Sequence, residues 1–165
     1  MKEFTMTKLT PPEQMIRVIN CQLGNHFSEW WDCVGTKMDS QDKVDYIQKQ
    51  EKSGDDIRWG FRQRNMRRVR DFTVRACPCA EDYKREWQSW LCGVHPNLYA
   101  YYATQDGFLS DYIVVDVDAM MSEEYGCVGY CPCGWKPNGD GTGFVYWSLE
   151  KIRPFIRYRM VELGQ

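Results

Sequence analysis

Residues 111–121, DYIVVDVDAMM, limit the architecture of this chain more than any other stretch. Ile113, Val114 and Val115 put β-branched apolar side chains on both faces of a strand, as a central strand of a sheet does. NLYAYYATQDG, just before it, is a second strand candidate, rich in aromatic residues. Helical signals precede the sheet. Thr10 and Glu13 have capping-box spacing, Pro11 and Pro12 fall in the first turn, and Met15, Ile16 and Ile19 follow at helical period. NHFSEWWDCVG predicts a second short helix closing at Gly35. DSQDKVDYIQKQEKSG predicts a third, with Val44 and Ile47 inward and Gly54 at its end. CAEDYKREWQSWLCG reads as a helix with Tyr83, Trp87, Trp90 and Leu91 on one side. FVYWSLEKIRPFIRYRMVELG reads as a strand running into a last helix or strand.

At 165 residues and 43% hydrophobic, the chain suits one folded domain with a real core. The order of elements predicts an α+β fold, a single mixed domain over 1–165. Residues 1–53 form a helical N-terminal part, and 54–165 a sheet-containing part with a Gly/Cys-rich loop at 122–143. Its centre is a β-sheet with a basic hairpin, flanked by helices.

That hairpin is read from GDDIRWGFRQRNMRRVRDFTVRA, residues 54–76. Ile57, Trp59 and Phe61 alternate with Arg58, Gly60 and Arg62, which is strand spacing; QRNMRR is a turn and RVRDFTVRA a second strand. Residues 54–75 hold seven arginines and three aspartates, whereas 76–165 hold seven basic and twelve acidic residues. One basic strip on an acidic body implies local attraction to phosphate. A general, non-specific nucleic-acid binder would be basic throughout, and the net charge here is −2. Arg58, Arg62, Arg64, Arg67, Arg68 and Arg70 are the candidate nucleic-acid contacts, because guanidinium forks match phosphate oxygens.

If the two strands pair, Asp56 and Asp71 approach each other, and two carboxylates suit a magnesium ion that polarises phosphate and activates water. The alternative for the same aspartates is cross-strand charge pairing with their arginine neighbours. GDDI at a strand start and VRDFT in the next strand resemble the restriction-endonuclease-like, or PD-(D/E)xK, superfamily over residues 40–118. The resemblance implies Asp56 and Asp71 as the metal ligands. The family's lysine belongs two residues after the second acid, where Thr73 stands; Arg75 shares that face and completes the candidate catalytic set. A magnesium-dependent nuclease or a catalytically degenerate, binding-only relative is what this pattern implies.

CPC occurs twice, and Cys77, Cys79, Cys131 and Cys133 together could give zinc four thiolates. Buried reduced thiols are the alternative. Asp116 and Asp118 read as a solvated strand end, His95 as a turn residue, and Gly139, Gly141 and Gly143 as a turn. No apolar run reaches the ~18 residues of a membrane helix, and MKEFTMTKLTPPEQM has no apolar signal core, so the expectation is a cytoplasmic protein with reduced cysteines and no membrane partner. Nucleic-acid association is the leading expectation for function. A protein-binding inhibitor whose acidic face imitates phosphate comes second, and a zinc-stabilised structural module third.

Overall fold

The computed structural model describes residues 9–22, 29–49, 55–76, 86–122, 131–138 and 143–160. Helix α1 (Pro11–Gln22) starts as its sequence predicts: the Thr10 hydroxyl donates to Glu13 Oε1 at 2.9 Å and receives the Glu13 N–H. The segments expected to be the second and third helices instead give strand β1 (Trp30–Asp32), a six-residue helix α2 (Lys37–Asp42) and strand β2 (Tyr46–Gln48). That corrects the reading of 1–53 as a helical part: its described residues form two helices and two strands. Lys43, in the left-handed region at φ 60°, ends α2 and lets the chain turn into β2.

Then come β3 (Ile57–Asn65), β4 (Asp71–Ala76), α3 (Glu86–Leu91), β5 (Leu98–Gln105), β6 (Phe108–Asp116), α4 (Val117–Met120), β7 (Gly134–Pro137) and β8 (Gly143–Ser148). Helix α5 (Leu149–Ile152), a 3-10 turn (Arg153–Phe155) and β9 (Ile156–Arg159) follow. Six strands form one mixed sheet in the order β1-β2-β3-β5-β6-β9, parallel only between β3 and β5. A smaller antiparallel sheet runs β4-β8-β7. The fold is α+β, with a large central sheet.

The basic hairpin does not form. β2 takes one side of β3 over Ile57–Trp59 and β5 takes the other over Trp59–Asn65, while β4 pairs with β8 in the other sheet. Val69 shows how the chain leaves the plane: it is buried in the core between the sheets, so the segment after β3 climbs out of the large sheet rather than folding back beside it.

Each face of the large sheet is covered by something different. α1 lays Met15 and Ile19 on Trp59, Ala100, Tyr102 and Val114. The opposite face meets the small sheet and α3, where Tyr99, Tyr101, Phe72, Trp90 and Trp147 pack. Among the described residues most aromatic rings are buried, and Trp59, fully buried, gives its indole N–H to Gln48 Oε1. The β5–β6 turn is Asp106-Gly107, both at positive φ (55° and 82°), the combination a two-residue hairpin with right-twisted strands selects. Buried Gln14 ties α1 to it, donating to Gly107 O and accepting from Leu109 N.

Gly60 is the tightest point of β3. A Cβ there would lie 2.5 Å from the Tyr99 ring, which crosses the strand at that residue. Gly60→Ala should lower unfolding free energy by about 1–3 kcal/mol, the usual cost of overpacking a filled core, as read from urea denaturation.

Candidate nucleic-acid interface

The seven arginines of 54–76 separate into three groups. Arg62 and Arg64 point between the sheets and are half-buried; Arg67, Arg68 and Arg70 are exposed on the segment joining β3 to β4; Arg58 and Arg75 are exposed elsewhere. Arg58, the second residue of β3, lies beside Asn97, whose side chain accepts its backbone N–H at 2.8 Å.

Arg62 and Arg64 serve the protein itself, which corrects their assignment as phosphate contacts. β4 is the end strand of the small sheet, and backbone groups on its open edge need partners. Arg62 Nη1 donates to Thr73 O at 3.1 Å, and the Arg75 N–H bonds to the Glu86 carboxylate. Tyr99 donates its hydroxyl to both Glu86 oxygens, at 3.1 and 3.3 Å. Burial raises the Glu86 carboxyl above its usual range, and the Arg62 guanidinium and the Tyr99 hydrogen bond oppose that rise. One step along, Arg64 Nη1 donates to Thr73 Oγ1 at 2.7 Å and to the Tyr101 hydroxyl at 2.9 Å. Thr73 and Tyr101 share a further bond of 3.0 Å. Burial pushes Tyr101 up, so it stays a neutral phenol. Thr73, the residue standing where a family lysine was expected, is thus the centre of a packed hydrogen-bond network, 1% exposed.

The segment 66–70 is a different environment. Ser110 Oγ donates to Met66 O, and Asp111 Oδ2 accepts the Val69 N–H at 2.8 Å, so both ends of the turn are fastened to β6. Val69 is buried beneath it. The arginines either side of Val69 are thereby presented outward on a fixed mount. Among the described residues, neither Arg67 nor Arg70 forms an ion pair. Phe108, 44% exposed, lies two residues before Ser110 at the same end of the sheet.

The structure does not bring Asp56 and Asp71 together. Asp56 precedes β3 and pairs with Lys49 at 2.8 Å. Asp71 opens β4, which is hydrogen-bonded to β3 through Arg62 and Arg64, both reaching Thr73. Six or more residues of strand, roughly 20 Å at ~3.3 Å each, separate those contacts from Asp56. A magnesium ion holds its oxygens at ~2.1 Å, so these two carboxylates do not fit one shared ion. Arg75 is exposed on β4, while Thr73 is buried. Cys77 and Cys79 lie outside the described residues; Cys131 is half-buried and Cys133 exposed, both as free thiols. Asp116 caps α4 by accepting the Ala119 N–H, and Asp118 accepts from Asn97.

A pair of acids that composition did not flag sits at the end of β2. Asp45 Oδ2 accepts the Phe61 N–H at 2.7 Å, continuing the β2–β3 ladder with a side chain. Asp39 of α2 hydrogen-bonds to the Asp45 carboxyl and also accepts the Gly35 N–H at 2.8 Å. Burial, with Asp39 beside it and Glu86 further off, raises Asp45 to about 7, against the pull of the Phe61 N–H. The alternation in DKVDYIQ could have suggested the strand, but not that the helix just before it would bring a second carboxyl, Asp39, to Asp45. No helix among the described residues is long and apolar enough to cross a membrane. Comparison of the chain with protein-family models, with curated proteins and with solved structures finds no match.

Proposed function

We propose that this protein associates with nucleic acid through the turn at 66–70. The observation that carries the reading is the turn's construction: Arg67, Arg68 and Arg70 are exposed around a buried Val69, on a backbone fixed to Ser110 and Asp111. Holding charged side chains on a rigid base lowers the ordering cost of binding. Guanidiniums so held attract phosphodiesters, and on a chain whose overall charge is −2 that attraction is local rather than general. The kinship to restriction-endonuclease-like proteins belongs to the proposal as a matter of shape, because the carboxylates it pairs stand apart.

The test is fluorescence anisotropy of a labelled oligonucleotide across a salt series. Each phosphate contact contributes roughly 0.7–0.9 to the slope of log K against log salt. Changing Arg67, Arg68 and Arg70 together to Ala should flatten that slope by about 2 and weaken binding at least tenfold at low salt. Arg62→Ala should leave the slope unchanged in whatever fraction remains folded. A triple variant that binds like the parent would end the proposal.

A further inference from the structure

We infer that the binding surface continues from this turn along the open edge of β9, with Arg159 and Arg157 as further contacts, and that its ligand is a single-stranded nucleic-acid backbone. The inference rests on the reading just given. Among the described residues β9 is the outermost strand of the large sheet and pairs only with β6, so its outer side has no strand partner there. In the β6–β9 register Arg159 stands opposite Ile113, and Asp111, two residues before Ile113, is the residue that holds Val69. Two residues along a strand are ~7 Å and neighbouring strands ~4.8 Å apart, so Arg159 lies within arginine reach of the turn.

Direction agrees with distance. Paired residues on neighbouring strands project to the same face. Ile113 projects into the core between the sheets, the side on which Val69 is buried, so Arg159 leaves the sheet on the turn's side. The register slips between Val114 and Val115, and Arg157 sits at that irregularity with Nε 3.7 Å from Asp116 Oδ2, its side chain still 52% exposed. Among the described residues Arg159 has no ion pair. Asp111, the acid between the turn and β9, is occupied by two backbone donors, Val69 N–H and Tyr112 N–H.

The pattern selects one strand rather than two. By register the basic residues run from the turn to one sheet edge, a path suited to one row of phosphates; a duplex presents two rows across a groove ~12 Å wide. Exposed Phe108 at the turn's end of the line offers a face on which an unpaired base can stack, a contact worth ~1–3 kcal/mol per base in single-strand binders.

Anisotropy with a labelled single strand and with its duplex, in rising salt, tests this. Arg159→Ala should weaken single-strand binding several-fold and lower the salt slope by roughly 0.7; Arg157→Ala combined with it should lower both further. The parent should prefer the single strand. If Arg159→Ala and the double variant bind unchanged while the turn variant weakens, the β9 extension is wrong and the turn remains. If duplex binds as tightly as the single strand, the assignment of ligand is wrong. If neither the turn nor the β9 variants alter binding, or the parent binds neither probe, both the extension and the function beneath it fall.

Discussion

Asp45→Asn should make the protein more stable at pH 8 and flatten its stability between pH 4 and 7. Asp45 has an ordinary value of 3.8 and is raised to about 7, first by burial and then by Asp39 and Glu86. A folded state that holds a proton the unfolded chain has already released gains stability from it below the unfolded value, and loses that gain as pH climbs through the folded one. The window is therefore pH 4 to 7, with stability falling as pH rises. At about 1.36 kcal/mol per pH unit, an interval from 3.8 to about 7 corresponds to roughly 4 kcal/mol. Asparagine suits the site because its carbonyl can still accept the Phe61 N–H and its amide can donate to Asp39. The carboxylate of the parent at pH 8 can do only the first. Urea denaturation at pH 5 and pH 8 should show the two proteins close together at pH 5 and Asp45→Asn ahead by ~2–4 kcal/mol at pH 8. Glu86, also raised by burial, adds to the same downward slope in the parent, so some pH dependence should survive the substitution. Equal stability at pH 8 would mean that the carboxyl pair is solvated and that the proton it shares is of no consequence.

What the sequence displayed and what it concealed divide along the range of the interactions involved. The α1 cap, the doubly buried Ile113–Val115 and the aromatic β5 depend on neighbours a few residues away, and each is where its pattern puts it. β1 and β2 were read as helix because three residues are too few to show a period of two. Gln48 adds to the disguise, being a polar residue buried for the sake of Trp59 Nε1. Alternation identified β3 and β4 as strands but cannot name a strand's partner. Val69, apolar among Arg67, Arg68 and Arg70, was the visible sign that the chain there enters the core. The same limit governs the site. Counting arginines cannot distinguish Arg64, held by Thr73 and Tyr101, from Arg67, held by nothing described, because Tyr101 is 37 residues away. The sequence left 156–159 as helix or strand, and the bearing of its arginines on the turn depends on β6 lying between them.

Glu86→Ala should cost about 3–4 kcal/mol, while Glu86→Gln should stay within about 1 kcal/mol of the parent. Alanine takes the acceptor from two buried donors, the Tyr99 hydroxyl and the Arg75 N–H, and each orphaned group costs ~1–3 kcal/mol. It also removes the negative neighbour of Arg62, leaving that guanidinium, among the described residues, with Thr73 O. Glutamine keeps a carbonyl oxygen for these donors and gives up a charge that burial already disfavours, so loss and gain nearly cancel. The open edge of β4 supplies a second readout. With its side-chain partners removed, that edge presents bare peptide groups to solvent, the condition under which strands pair between molecules. Sedimentation of the Arg62→Ala, Glu86→Ala double variant should therefore show larger, concentration-dependent species than the parent at equal concentration, with Glu86→Gln sedimenting like the parent. If glutamine proves as damaging as alanine, the charge rather than the hydrogen-bond acceptor holds this corner. The arginine beside it would then be an ion-pair partner first and an edge cap second.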